Sequence, residues 1–325
     1  MLIPLEGTWS LLLGASSGMG RATALALARE GGNVIGVHLD MGERAQAARA
    51  LEAELRGYGV QAHFFNVNAS SRSTREQLLP TIAELTGSRG LHVVLHSLAF
   101  GSLLPYLPRA GWDRTLGQRQ MEMTVDVMAH SLVYWVQELM AAKLLHRGAK
   151  VYAMTSSGAT SVMPSYGAVS AAKCALESHV RQLACELARY GVAVNALCAG
   201  VTVTPALERI PEHTQFVAQA GATNPHGRLT RPEDVAEAIL LLSRTDSSWI
   251  TGNTIGVDGA ENIAGIPAWS PRHAEAVEPV AVSSSNPTPV ASGPNPTPGV
   301  VAGPNQTPVA VSEPNGTPVA ASAAG

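Results

Sequence analysis

The sequence predicts an α/β fold, a doubly wound parallel sheet with helices on both faces. Three observations carry that reading. Short apolar runs alternate with helical stretches of roughly 10–15 residues, the pattern of repeated strand–helix–strand units. The first apolar run passes through a glycine-rich turn directly into a helix, the arrangement that opens a dinucleotide-binding unit. The chain has 325 residues, 46% of them hydrophobic. That is enough to bury a single core of about 250 residues.

The elements follow in order. Residues 9–13, Trp-Ser-Leu-Leu-Leu, form the first strand, and a short, mostly apolar run suits a strand covered on both faces. Gly14, Gly18 and Gly20 come next, with Ser16, Ser17 and Met19 among them. The glycines permit a tight turn and close approach of backbone to a cofactor. The helix over 21–30 begins there, and the free N–H groups and dipole of its N-terminus favour a pyrophosphate. Residues 33–39 form the second strand, whose end should face the adenosine ribose of a dinucleotide. His38, Asp40 and Arg44 stand there. A carboxylate bonding the ribose hydroxyls favours NADH, while a cation near a 2′-phosphate favours NADPH. The balance falls slightly to NADH. The plain alternative makes Asp40 the cap of the next helix.

That helix spans 43–57, and 61–67 is the third strand, ending in Asn66-Val67 where an adenine edge would be held. A helix over 70–86 leads to the fourth strand at 91–95. The strand runs into His96-Ser97-Leu98-Ala99-Phe100-Gly101, a loop of mostly small residues at a strand's C-terminal end, where open α/β sheets bind ligands. A long helix covers 123–145, followed by a fifth strand at 150–154 and then Thr155-Ser156-Ser157-Gly158. A helix over 166–189 precedes the sixth strand at 192–198, after which come Gly200, Thr202 and Thr204. Residues 205–227, punctuated by Pro205, Pro211, Gly221, Pro225 and Gly227, form a flap or short helices over the site. Arg231-Pro-Glu-Asp234 starts another helix, with proline early and acids in the first turn. The seventh strand lies within 251–260. The whole is a Rossmann-type, seven-stranded parallel sheet occupying residues 1–265.

Residues 266–325 differ in composition. Asn-x-Thr-Pro recurs at Asn286, Asn295, Asn305 and Asn315, spaced nine, ten and ten residues, and no aromatic residue follows Trp269. This is a low-complexity, disordered tail, either a tether or a dispensable repeat expansion.

Bulk properties exclude several classes. A net charge of −3 without a Lys/Arg cluster offers no basic face for nucleic acid. Cys174, Cys185 and Cys198 have no metal-ligand spacing, and the sequence contains no metal motif. The N-terminal stretch lacks the basic region and apolar span of a signal peptide or membrane helix, so a cytoplasmic location is expected.

The sharpest chemistry lies at Tyr166-Gly-Ala-Val-Ser-Ala-Ala-Lys173. In a helix, residues seven apart return almost to one face about 10 Å along the axis. An ammonium there would favour a phenolate, or an anion that the phenol hydrogen-bonds, giving a proton-donor and oxyanion-binding device. The plain alternative is a surface Tyr and a surface Lys on an Ala-rich helix.

The G-x-x-x-G-x-G turn and these residues together resemble the short-chain dehydrogenase/reductase superfamily over roughly residues 5–262. Within it they are most similar to the enoyl-[acyl-carrier-protein] reductases. The common short-chain form carries Tyr-x-x-x-Lys; here Ser170 occupies that place and the spacing is Tyr-x6-Lys, the mark of the enoyl reductase branch. The run from Tyr166 to Glu177, the loop His96-Ser-Leu-Ala-Phe100 and the segment Val194-Asn-Ala-Leu-Cys-Ala-Gly200 with Thr204 also match that branch. The resemblance implies that Tyr166 bonds a thioester carbonyl oxygen as it becomes an enolate. It implies that Lys173 holds the nicotinamide ribose, and that reduced cofactor gives hydride to the β-carbon of a trans-2-enoyl thioester. The thioester would be carried on acyl carrier protein or coenzyme A, in fatty acid or polyketide synthesis, and the enzyme would be a homotetramer.

Three departures qualify it. The second Tyr of the best-known enoyl reductases is replaced by Ser156, as in a divergent subgroup, and Ser156 could donate in its place. The helix Asn of carbonyl-reducing relatives aligns with Met128, which removes a proton relay there. The tail is unlike the family. The Met128 departure weakens a carbonyl-reducing reading, but the glycine turn and the absent second Tyr keep a short-chain carbonyl reductase as the competing reading, and a nucleotide-binding regulatory protein is a third.

Overall fold

The structure, a computed structural model, describes residues 2–210 and 213–264; the tail assigned to 266–325 and Pro211 lie outside the described residues. Seven strands form one parallel sheet: β1 (Trp9–Leu13), β2 (Asn33–His38), β3 (Ala62–Asn66), β4 (Leu91–His96), β5 (Leu145–Ser156), β6 (Ala193–Ala199) and β7 (Thr254–Val257). Their spatial order is β3-β2-β1-β4-β5-β6-β7, with every pairing parallel. The order reverses between β1 and β4, so the crevice at the C-terminal ends of those two strands is the topological switch point.

Both faces of the sheet are covered, because alternate side chains of each strand enter different cores. Trp9, Leu11 and Leu13 of β1, Ile35 and Val37 of β2, and Val194 and Ala196 of β6 share one core. Trp135, Leu132 and Leu139 of helix α5 (Ser131–Ala141) and Leu176, Val180 and Leu183 of helix α6 (Gly167–Leu187) pack into the same core. Leu12, Val34, Val93 and Leu197 point the other way, against helix α1 (Gly18–Arg29), helix α2 (Glu43–Arg56) and helix α8 (Pro232–Ser243). Helix α3 (Arg72–Thr86), helix α4 (Gln118–Val125) and helix α7 (His213–Thr223) are the remaining α-helices among the described residues.

Several boundaries differ from those expected, each for a local reason. The long helix expected over 123–145 starts at Gln118, where the Gln120 side chain accepts the Gly117 N–H at 3.0 Å. It widens to a π turn at Asp126–His130 and ends at Ala141. Lys143 has φ 57°, a left-handed conformation that stops the helix, and β5 therefore begins at Leu145 rather than 150. Helix α1 begins three residues earlier than expected, at Gly18, so Gly18, Met19 and Gly20 are its first turn. Tyr166 precedes helix α6 as its N-cap residue and does not lie in its first turn. The segment 205–227 contains a 3₁₀ turn at Leu207–Arg209 and helix α7. At the start of helix α8, Asp234 accepts the Arg231 N–H at 2.8 Å and pairs with Arg228 through both carboxylate oxygens. Among the described residues, no helix is long and apolar enough to cross a membrane.

Candidate active site

The site is built at the switch point. Gly14 closes β1 with φ +94°, and a Cβ there would overlap the Ser97 carbonyl at the end of β4. A Cβ on Gly20 would overlap the Gly14 carbonyl in the same way. Glycine at these two positions lets β1, α1 and the β4 loop approach without side chains between them. Leu98 completes the contact on Gly14, and Thr204 sets its methyl against Gly18. Ser17 caps α1 without a side-chain hydrogen bond, so it leaves the first N–H groups of that helix to an anion. Ser16 and Met19 are half-buried on this turn, and Ala99 is exposed. The turn fits a pyrophosphate on backbone N–H groups.

At the end of β2, Asp40 and His38 bond each other, Nδ1 to Oδ2, at 2.9 Å. Asn66, at the end of β3, accepts the Asp40 N–H at 2.9 Å and donates to the Asp40 carbonyl at 2.8 Å. Val67 donates its N–H to the His38 carbonyl at 2.7 Å. Sequence reasoning expected these four residues to face an adenosine, and the structure joins them into one cluster. The alternative role of Asp40 as a helix cap does not hold: α2 is preceded by Gly42.

Across the crevice, β5, β6 and α6 bring the chemical groups together. The Tyr166 hydroxyl lies 3.5 Å from the Ser156 hydroxyl. Burial pushes the phenol above its usual range, opposed by that hydrogen bond. The ammonium of Lys173 was expected to favour a phenolate, or an anion that the phenol hydrogen-bonds. In the structure Lys173 is buried and donates from Nζ to the Met154 carbonyl at 2.7 Å, and burial favours the neutral phenol of Tyr166. Burial lowers Lys173 to about 8, with Glu177 and then Cys198 acting in the opposite sense. His96, also buried, is lowered to about 3 by burial first and the Lys173 charge second. Its Nε2 meets the Ser131 hydroxyl at 2.8 Å, and that hydroxyl donates to the Val127 carbonyl, so the neutral imidazole carries its proton on Nε2. The loop after β6 is closed by its own bonds. Thr202 donates to the Gly200 carbonyl at 2.9 Å, and Thr204 accepts the Leu207 N–H at 3.3 Å.

Around the phenol the walls are apolar. Tyr166 packs with Met128, Val169 and Ala172, flanked by Leu103, Met163 and Ile210. Arg109 reaches from the β4–α4 connection to the Ser165 hydroxyl at 3.3 Å, immediately before Tyr166, and stacks over Trp112. Ser165 holds φ 59°, a conformation that costs energy in a non-glycine residue and clusters at functional sites. An un-ionised phenol beside a second hydroxyl, with apolar walls around it, can donate to a carbonyl oxygen on which negative charge develops.

Sequence reasoning missed Thr155 and the environment of Glu177 and His96. Thr155 donates to Glu177 at 2.7 Å, one turn beyond Lys173. The Lys173–Glu177 spacing of four was a signal that these two charges share a helix face, but nothing in the sequence pointed to Thr155. Among the described residues, no group of three or more His, Cys, Asp or Glu is placed to hold a metal ion.

Comparison with known proteins agrees with this architecture. A family model described as "Enoyl-(Acyl carrier protein) reductase" matches residues 14–260. The chain is 29% identical over 262 residues to a 1-cyclohexenylcarbonyl-CoA reductase of Streptomyces collinus, covering 79% of this chain and 88% of that protein. It is 26% identical over 255 residues to a 3-oxoacyl-[acyl-carrier-protein] reductase of Thermotoga maritima, covering 78% and 98%. Among solved structures, an NADH enoyl-[acyl-carrier-protein] reductase of Aquifex aeolicus superposes with a TM-score of 0.68 at 26% identity, covering 81% of this chain and 99% of that one.

Proposed function

The chain belongs to the short-chain dehydrogenase/reductase superfamily, in the family described as enoyl-(acyl carrier protein) reductase, and from that premise we propose that it reduces the carbon–carbon double bond of trans-2-enoyl thioesters with a reduced nicotinamide cofactor. The observation that carries this reading is the neutral Tyr166 phenol, set in an apolar cluster with the buried Lys173 seven residues on.

The cofactor, when bound, supplies the hydride for the β-carbon. Gly14, Ser16, Ser17, Gly18, Met19 and Gly20 hold its pyrophosphate; His38 and Asp40 hold the adenosine ribose, with Asn66 and Val67 at the adenine. Ser97, Leu98, Ala99, Gly200, Thr202 and Thr204 line the nicotinamide side, and Lys173 binds the second ribose. Asp40, a carboxylate at the end of β2, favours NADH. The Aquifex aeolicus neighbour, an NADH enzyme by description, supports the same preference.

Tyr166 donates a hydrogen bond to the thioester carbonyl oxygen. That bond strengthens as the oxygen gains enolate charge, so it lowers the barrier more than it tightens substrate binding. Ser156 supplies a second hydroxyl at the same oxygen. Leu103, Met163 and Ile210 offer apolar contact to the acyl chain. The carrier is acyl carrier protein or coenzyme A, and the cyclohexenylcarbonyl-CoA relative supports an α,β-unsaturated thioester. The enzyme works in the cytoplasm, in fatty acid or polyketide synthesis. A homotetramer belongs to this reading, supported by exposed Leu241, Trp249 and Ile250 near the open edge strand β7.

A second reading, reduction of 3-oxoacyl or other ketones, is favoured by the two adjacent hydroxyls of Ser156 and Tyr166 and by the 3-oxoacyl reductase among the relatives. The test is loss of reduced-nicotinamide absorbance with a short trans-2-enoyl thioester against a 3-oxoacyl thioester, each with NADH and NADPH. Turnover of the enoyl substrate is expected; turnover of the oxo substrate alone moves the assignment to a carbonyl reductase.

A further inference from the structure

We propose that Glu177 is a positioning residue for the reaction: clamped by Thr155, its carboxylate supplies the negative charge that keeps the Lys173 ammonium in place beneath the site. The proposal rests on the reading above, in which Lys173 serves the reaction.

The geometry is compact. Lys173 and Glu177 lie one turn apart on α6, on the same side of the helix, and the carboxylate acts on the ammonium through space, without an ion pair within 4.0 Å. Consecutive residues of β5 hold the two charges: the Met154 carbonyl accepts from Lys173 Nζ at 2.7 Å, and the Thr155 hydroxyl donates to Glu177 Oε1 at 2.7 Å. Thr155 is itself buried, so the strand end is a fixed frame for both partners.

His96, Cys198 and Tyr166, which share this part of the site with Lys173, are uncharged near neutral pH. On β4, His96 is neutral because burial holds it at about 3. On β6, Cys198 stands beside Thr155 in the sheet register, and burial lifts its thiol to about 11. Tyr166, at the N-cap of α6, is kept as the phenol. Asp258 and Glu261, after β7, act on Cys198. Glu177 is therefore the carboxylate that opposes the burial of Lys173, and it does so from a half-buried position where the interaction is only partly screened.

The substitution Glu177→Gln separates charge from structure. The amide oxygen still accepts the Thr155 hydroxyl, so the clamp survives and only the charge is lost. The lysines of the chain are Lys143, Lys150 and Lys173, so protein labelled with [¹³Cε]lysine gives signals that Lys173→Met assigns directly. Titration of that signal needs no substrate. In Glu177→Gln the Lys173 midpoint should fall by about one unit, a tenfold loss of proton affinity, with Lys143 unmoved. The alkaline limb of the kcat/KM profile should move to lower pH by the same amount. Thr155→Val, which keeps the charge but frees the carboxylate, should give a smaller shift in the same direction. A Lys173 midpoint within about 0.2 units of wild type in Glu177→Gln overturns the proposal and leaves the proposed reaction untouched. A shifted midpoint with an unmoved alkaline limb overturns the role of Lys173 in the reaction, and the positioning role of Glu177 with it.

Discussion

Replacing Tyr166 by Phe should separate activity from stability by several orders of magnitude. The ring sits in an apolar cluster with Met128, Val169 and Ala172, and Phe keeps those contacts. What is lost is one hydroxyl, whose partner in the protein is Ser156 Oγ at 3.5 Å, the long limit of a hydrogen bond. A typical intramolecular hydrogen bond contributes about 0.5–1.5 kcal/mol net, and one this long belongs at the lower end. Removing a buried hydroxyl also removes its desolvation cost, and the half-buried Ser156 can turn to water. The net change in stability should be within about 0.5 kcal/mol, a Tm shift of roughly 2 °C or less for a domain of this size. The transition state loses its principal oxyanion donor, for which about 3–5 kcal/mol is expected. That is a fall of about 10²–10⁴ in kcat/KM. Scanning calorimetry and steady-state kinetics on the same preparation give both numbers. Full turnover by the Phe variant, or a Tm loss large enough to explain inactivity, would refute the reasoning.

Other perturbations test the fold and the cofactor site. In Gly20→Ala the new Cβ meets the Gly14 carbonyl; overpacking of this kind costs about 1–3 kcal/mol, and affinity for reduced cofactor, read by fluorescence titration, should fall at least about tenfold. Asp40→Ala should lower the ratio of NADH to NADPH use in kcat/KM by about tenfold, the worth of one charge-assisted hydrogen bond; an unchanged ratio would remove Asp40 from the ribose site. Trp135→Phe loses the indole N–H donated to the Ala69 carbonyl at 2.8 Å from a fully buried ring, which should cost about 3 kcal/mol and lower Tm by roughly 6–12 °C in calorimetry. A chain stopped after residue 265 should melt within about 2 °C of the full chain, because residues 266–325 supply few core-forming side chains; a larger loss would show that they contribute to the fold.

What the sequence disclosed depended on whether the signal was local. Strands β1, β2 and β4 are mostly apolar, and the glycine turn sits between strand and helix as its spacing requires. Their positions were legible within a residue or two. The β5 boundary was not, because Lys143 ends the preceding helix in a left-handed conformation that no glycine or proline announces. The helical start at Gln118 was hidden for the opposite reason: it is a polar turn fixed by a single side chain, Gln120, without an apolar stripe.

In the site, Tyr166 and Lys173 were legible from their spacing, but their relation was not. Helical geometry alone aligned the ammonium with the phenol. Tyr166 sits before the helix rather than in its first turn, and capture of Lys173 by the Met154 carbonyl depends on a strand nearly twenty residues upstream in sequence. The link between Asp40 and Asn66 is likewise a contact between two strand ends, and neither residue points to the other along the chain.

The central claim is that hydride reaches a carbon–carbon double bond. The most direct measurement uses cofactor dideuterated at nicotinamide C4 with a trans-2-butenoyl thioester, followed by mass and NMR analysis of the product. The account predicts a saturated thioester carrying one deuterium on its β-carbon. Deuterium found instead on a carbinol carbon, from a 3-oxoacyl thioester in the same mixture and with the enoyl thioester unchanged, would contradict it.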